Sequence, residues 1–158
     1  MPPRRYHFQS EWNFAAKPAR IWGIITRQPF NWDEWWPQLE SISDVKATPT
    51  LLGSAFTCSW RAPLGYHLAC RLTITGVDLR KQAILKVDGD LSGTAICTLR
   101  PGTDGTHVHL DWHVTTNKSW MNWLAPILKP LFIWGHHSVM RSGERGFKKY
   151  LSKLADKK

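Results

Sequence analysis

The sequence predicts an α+β architecture: a curved antiparallel sheet of about six to seven strands, wrapped around one long C-terminal helix. Two short helices follow the first strand. Three observations predict it. Period-two alternation of apolar and polar residues recurs between positions 6 and 116, the mark of strands with one dry face. Short turns separate most of these segments, which makes the strands they join antiparallel neighbours. Beyond position 130 the period changes to that of a helix. Phe132, Ile133, His136, Val139, Met140, Gly143, Phe147, Tyr150, Leu151 and Leu154 then share one side, opposite Arg141, Glu144, Arg145, Lys148 and Lys149. A helix with one broad apolar face needs an apolar surface to lie on, and the strands supply it.

Taken in order, residues 6–14 form the first strand, with Phe8, Trp12 and Phe14 alternating with Gln9, Glu11 and Asn13. Pro18 opens a helix over 18–26, a position where its missing N–H costs nothing. Asn31 is placed to cap a second short helix over 32–36, which Pro37 ends. Strands are predicted over 42–47 (a weak edge), 54–61, 66–77, 82–88, 92–99 and 106–116. Turn signals sit at Ala62-Pro63-Leu64-Gly65, at 78–81 and at 101–105. Pro126 and Pro130 predict that residues 120–125 form a separate short turn and that the long helix starts at Ile127 or Lys129.

The chain has 158 residues, enough for a single domain over 1–158 with its core in 6–154. A hydrophobic share of 42% excludes a disordered protein. Ten tryptophans exceed what a core of this size needs. The excess points to a lined cavity or an exposed interface, or to a dense aromatic core. The net charge of +9 favours anionic partners, yet the cations are spread: Arg4 and Arg5 at one end, Lys148, Lys149, Lys153, Lys157 and Lys158 at the other. A solvated helix face and a frayed tail account for them. Cys58, Cys70 and Cys97 lie far apart among strand residues with no CxxC pair, and read as reduced core thiols. The first residues lack a signal-peptide apolar region. The most apolar window, 124–134, contains Lys129 and two prolines and falls short of the ~20 apolar residues a span requires. A cytoplasmic location is expected.

This order of elements, with Ala16-Lys17-Pro18 and Ile21-Trp22 after the first strand, Trp35-Trp36-Pro37, Gly89-Asp90-Leu91 with Gly93, Gly105-Thr106, and His136, Val139, Met140, Gly143 and Gly146 on the final helix, resembles the START-like (helix-grip, SRPBCC) superfamily, in its polyketide cyclase/dehydrase and lipid-transport branch. The match covers nearly all of 6–154. The resemblance implies a deep cavity between sheet and long helix that holds an apolar or aromatic small molecule, polyketide- or lipid-like. Such a fold hosts binders, carriers and enzymes alike.

Alternation selects the residues that would line this space: Trp12, Phe56, Trp60, Leu68, Cys70, Leu72, Leu85, Cys97 and Trp112 from the sheet, with Phe132, His136 and Met140 from the helix. Apolar walls with one or two polar groups are how small apolar ligands are held and oriented. His136 sits mid-stripe. It is either a proton-transfer group facing the cavity, helped by Tyr66, or a core histidine with one partner. His107, His109, Asp111 and His113 share the opposite parity and read as a wet outer face, as does His67, so no metal is expected. No cofactor motif or nucleophile motif is present. The buried thiols are predicted to be unreactive. Trp120, Trp123, Leu124, Leu131, Phe132 and Trp134 form a second apolar cluster, suited to a flap, a dimer contact or peripheral membrane contact.

The favoured reading is a binding protein for an apolar or aromatic small molecule. The alternative is a cyclase, aromatase or dehydratase that folds a polyketide-like substrate in the same space, catalysis by orientation. A basic module for RNA or acidic lipid acting through the cationic ends ranks last, because no RNP-like motif and no basic strand face is present.

Overall fold

The computed structural model describes residues 5–27, 30–63 and 65–156; Arg4, Leu64, Lys157 and Lys158 lie outside them. Strand β1 (Arg5–Phe14) leads into helix α1 (Pro18–Ile25) and a single 3-10 turn, Trp32–Glu34. Strands β2 (Leu39–Lys46), β3 (Ala55–Arg61), β4 (His67–Asp78), β5 (Gln82–Gly89), β6 (Leu91–Pro101) and β7 (Thr106–Thr116) follow, and helix α2 (Ser119–Asp156) ends the described chain. The strands form one seven-stranded sheet in the order β1-β7-β6-β5-β4-β3-β2. Every neighbouring pair is antiparallel. The segment holding α1 and the 3-10 turn therefore carries the chain from one edge of the sheet to the other.

Period-two patterning becomes a dry concave face. Phe8, Trp12 and Phe14 of β1, Phe56, Cys58 and Trp60 of β3, Cys70, Leu72 and Ile74 of β4, and Val108, Trp112 and Val114 of β7 are all buried. Tight curvature needs backbone that a side chain would obstruct. At Gly93, where φ is +152°, a Cβ would stand 2.0 Å from the His113 carbonyl oxygen across the β6–β7 pair, so the bend requires glycine.

Three expectations change. The second short helix reduces to the 3-10 turn. The Asn31 side chain does not cap it: its amide donates to Glu34 Oε2 at 3.1 Å and to the Tyr150 hydroxyl at 3.3 Å, tying the turn to α2 instead. Strand β2 begins earlier than expected, because Leu39 pairs with Trp60, and its register slips between Leu39 and Ser41 and again between Ser43 and Lys46. Helix α2 starts at Ser119 and runs unbroken through Pro126 and Pro130. Each proline removes one helical hydrogen bond, but the affected turns are held from inside. Met121 and Ala125 are buried, and Asn122 is clamped to Thr116, donating to its carbonyl at 3.0 Å and accepting from its hydroxyl.

Further along α2, two glycines let the helix sit directly on the Trp35-Trp36 segment. A Cβ at Gly143 would lie 2.7 Å from the Trp36 ring and 2.9 Å from that of Trp12, and one at Gly146 would lie 1.7 Å from the Trp35 carbonyl oxygen. Trp36 Nε1 donates to the Val139 carbonyl at 2.8 Å, and Phe147, fully buried, packs edge-on against Trp35 at 4.7 Å.

Alanine in place of glycine inside a helix ordinarily gains about 1 kcal/mol. Gly23 of α1 has nothing within 4 Å of its would-be Cβ, so Gly23→Ala is expected to raise the urea midpoint. At Gly146 overpacking outweighs propensity: Gly146→Ala is expected to lose about 2–3 kcal/mol on the same measurement.

Candidate functional site

Space between the concave sheet and the elements packed on it is divided, the first cavity lying under α2 and the second under α1 and the Phe30–Trp36 segment. One cavity, of about 60 Å³, is lined by Tyr6, Phe8, Trp60, Ala62, Tyr66, Leu68, Leu91, Met121, Phe132, Gly135, His136 and Val139, among others. A second, of about 70 Å³, is lined by Trp12, Trp22, Phe30, Trp32, Trp35, Leu72, Ile74, Leu85, Ala95, Cys97 and Leu99, among others. Trp36, Trp112 and Met140 line both and form the partition between them. The resemblance implied one deep cavity; among the described residues the tryptophans fill most of the hollow and separate two small ones. Trp36 is pinned by its bond to Val139, whereas Met140, unbranched and adaptable, is the soft member of the partition.

The residues selected from the sequence separate accordingly. Trp60, Leu68, Phe132, His136 and Tyr66 line the first cavity, Trp12, Leu72, Leu85 and Cys97 the second, and Trp112 and Met140 both. Phe56 and Cys70 line neither. Phe56 is covered by Phe30, stacked at 4.3 Å, and by Trp32, edge-on at 5.0 Å. Cys70 is buried opposite Cys58 in the β3–β4 register. Parity put both on the dry face; the segment between α1 and β2, which strand periodicity does not describe, covers Phe56. The reading also passed over Phe8, which stacks on His136 at 3.9 Å, although it shares the parity of Trp12. It passed over Trp36 as well, whose signal was the Trp-Trp-Pro run.

The chemistry inside is sparse. Burial is the main cause, and neighbouring His137 the lesser one, of a His136 pKa pulled down to about 3, so the imidazole is neutral at physiological pH. Such a ring is a weak base near pH 7. Burial raises the Tyr66 phenol above its ordinary value, with Tyr6 adding to the effect. Burial likewise lifts the thiols of Cys70 to about 11 and Cys97 to about 12, and that of Cys58 further still, which removes them as nucleophiles. Four nitrogens on cavity-lining side chains are buried without a partner among the described residues: His136 Nε2 and Trp60 Nε1 at the first cavity, Trp12 Nε1 and Trp35 Nε1 at the second.

The histidine-rich strand faces outward, as its parity predicts. Across the β1–β7 register His7 opposes His113 and Glu11 opposes His109. His7 Nε2 lies 2.5 Å from Asp111 Oδ1, His113 Nε2 lies 3.4 Å from Asp111 Oδ2, and the rings of His7 and His113 stack at 3.9 Å. The possible ligand atoms of His7, Asp111 and His113 lie within 4.8 Å of one another. His7 was the member the sequence reading left out, because only the strand register brings it there. The stacked rings aim their in-plane nitrogens side by side at one carboxylate.

An open antiparallel sheet gripping a long C-terminal helix, with the short helical segment after the first strand, defines the helix-grip fold, and the chain adopts it. Solved structures align over almost the whole chain. A protein from Mycobacterium smegmatis matches at 19% identity and TM-score 0.63, over 98% of this chain and 98% of its own. A protein from Rhizobium leguminosarum matches at 10% identity and TM-score 0.67, over 96% and 97%. The di-domain ARO/CYC StfQ of the steffimycin biosynthetic pathway matches at 13% identity and TM-score 0.63, over 94% of this chain and 52% of its own. The di-domain ARO/CYC BexL matches at 14% and 0.68, over 92% and 49%. The chain thus spans about half the length of either di-domain protein. No protein-family model matches the sequence, and no curated protein matches it.

A histidine that stays neutral when folded but takes up a proton when unfolded makes the fold acid-sensitive. Its contribution is complete above the unfolded pKa of 6.5 and is lost as pH falls toward about 3. At about 1.36 kcal/mol per pKa unit, stability is expected to drop by roughly 2–3 kcal/mol between pH 7 and pH 4.5 on account of His136. Urea titrations at the two pH values should show a smaller drop in His136→Phe.

Proposed function

We propose that this protein binds an apolar, aromatic small molecule carrying an oxygen function between sheet and helix. The observation that carries the reading is the set of buried, unpartnered nitrogens on otherwise apolar cavity walls, Trp60 Nε1 and His136 Nε2 at the first cavity and Trp12 Nε1 and Trp35 Nε1 at the second. Leaving a buried donor unmade costs about 1–3 kcal/mol each, a cost that a ligand hydroxyl or carbonyl would relieve. The rest of the wall offers aromatic and aliphatic contact. Neither cavity alone reaches the ~150 Å³ that holds benzene in an engineered apolar void. A bicyclic guest therefore requires Met140 to swing aside and join the two spaces.

The ARO/CYC neighbours favour a second reading, cyclisation or aromatisation of a polyketide-like substrate in the joined cavity, with His136 and Tyr66 as proton-transfer groups. Binding is preferred, because a neutral imidazole with a pKa of about 3 is poorly matched to acid–base work at neutral pH. Under the second reading His136→Ala abolishes turnover; under the first it changes affinity.

Native mass spectrometry of freshly purified protein, with calorimetric titration of 2-naphthol, tests the proposal. A bound small molecule or a naphthol complex is expected. Trp60→Phe should weaken naphthol at least about fivefold, the worth of one hydrogen bond. Met140→Ala should tighten it while costing about 2–5 kcal/mol of stability. Absence of any co-purified molecule together with no naphthol binding would sink the reading.

A further inference from the structure

Eight large hydrophobic residues are exposed among the described residues, and five of them, Trp120, Trp123, Ile127, Leu131 and Trp134, lie on the first half of α2. They recur at intervals of three and four residues, so they form one stripe about 20 Å long at 1.5 Å per residue. Trp123 is 69% exposed and Ile127 77%. The opposite side of the same turns, with Met121, Ala125 and Phe132, is buried. We propose that this stripe docks the protein, lying flat, on an anionic lipid surface.

Charge distinguishes this occupant from others. Residues 112–143 contain no aspartate or glutamate. Lys118 is already paired with Asp90 at 3.6 Å, while Arg141 and Arg145, both exposed, carry the line of the stripe into the second half of the helix at the same three- and four-residue spacing. A second copy seated on the stripe would bring the same acid-free surface, on a chain of net charge +9, against itself. Anionic headgroups complement it, and each nearby cation contributes about 1 kcal/mol to such binding. Indole rings favour the boundary between acyl chains and headgroups. No helix among the described residues is long and apolar enough to cross a bilayer, so the helix lies on the surface and does not span it. Pro130 has no N–H to give the Pro126 carbonyl, and that oxygen needs the water available at headgroup depth. The stripe also borders the first cavity: Trp120 meets Tyr66 edge-on at 5.7 Å and Phe132 at 5.8 Å, both cavity-lining residues.

Co-sedimentation with vesicles of equal parts phosphatidylcholine and phosphatidylglycerol tests the proposal. The protein is expected to pellet with them and to pellet less with phosphatidylcholine alone. The double variant Trp123→Glu, Ile127→Glu should reduce the bound fraction by about tenfold or more, and the double variant Arg141→Glu, Arg145→Glu by about tenfold or more on the anionic vesicles. These exposed side chains line neither cavity, so far-ultraviolet circular dichroism and the naphthol titration should be unchanged in the first double variant. Failure here and failure of the ligand reading are thereby separate events. Sedimentation no greater with vesicles than without would overturn the proposal. So would a dimer in analytical ultracentrifugation that the first double variant dissolves while vesicles capture nothing, since the stripe would then seat a second copy.

Discussion

The seating of α2 on the Trp35-Trp36 segment is the contact on which the rest of the structure depends. Glycine at 143 and 146 brings the helix axis within reach of backbone and ring atoms, and the Trp36 indole closes the contact with a hydrogen bond to the Val139 carbonyl. The distance set there fixes how far the other helix residues stand from the sheet. Towards the C-terminus Phe147 fills the gap against Phe14, with ring centres 4.5 Å apart. Towards the N-terminus the helix stands clear enough to leave the first cavity. The hollow is thus a product of one tight contact and the lever arm of a long helix beyond it.

Within that hollow, aromatic rings supply both wall and filling. Trp12, Trp36, Trp60 and Trp112 meet one another edge-on, with centroids 5.5–6.3 Å apart. Edge-to-face contacts of this kind are favourable, yet they leave indole N–H groups of Trp12 and Trp60 without partners. His136 adds a neutral ring stacked on Phe8. The site is therefore poor in charge and rich in orphaned single donors and acceptors, which suits recognition of a neutral aromatic body better than stabilisation of a developing charge.

Much of the fold was legible because the signals were periodic. Alternation located strands to within a few residues, and the stripe from Phe132 to Leu154 identified the buried side of α2. What the sequence concealed lies where periodicity stops. Asn31 looked like a cap, but its partners Glu34 and Tyr150 come partly from the other end of the chain. Pro126 and Pro130 looked like a break, but the Asn122–Thr116 clamp belongs to tertiary structure. Phe56 and Cys70 had the right parity, yet parity names a face and not what covers it. The division of the interior at Met140 depends on how large side chains fill a curved space, a matter of volumes that no pattern of residue types encodes.

The irregular pairing of β2 has a consequence for how the molecule keeps to itself. An open sheet ends in two rows of hydrogen-bonding groups that could template growth by another chain. At one end β2 slips register twice and holds Asp44 at a φ of +50°, with the Asp44 carbonyl taken by the Arg71 guanidinium at 2.6 Å. At the other, the Asn13 N–H is claimed by the Glu144 carboxylate at 2.8 Å. Lateral addition of strands meets a kinked ribbon on one flank and an occupied donor on the other, a safeguard against fibrous assembly written into the margins of the sheet.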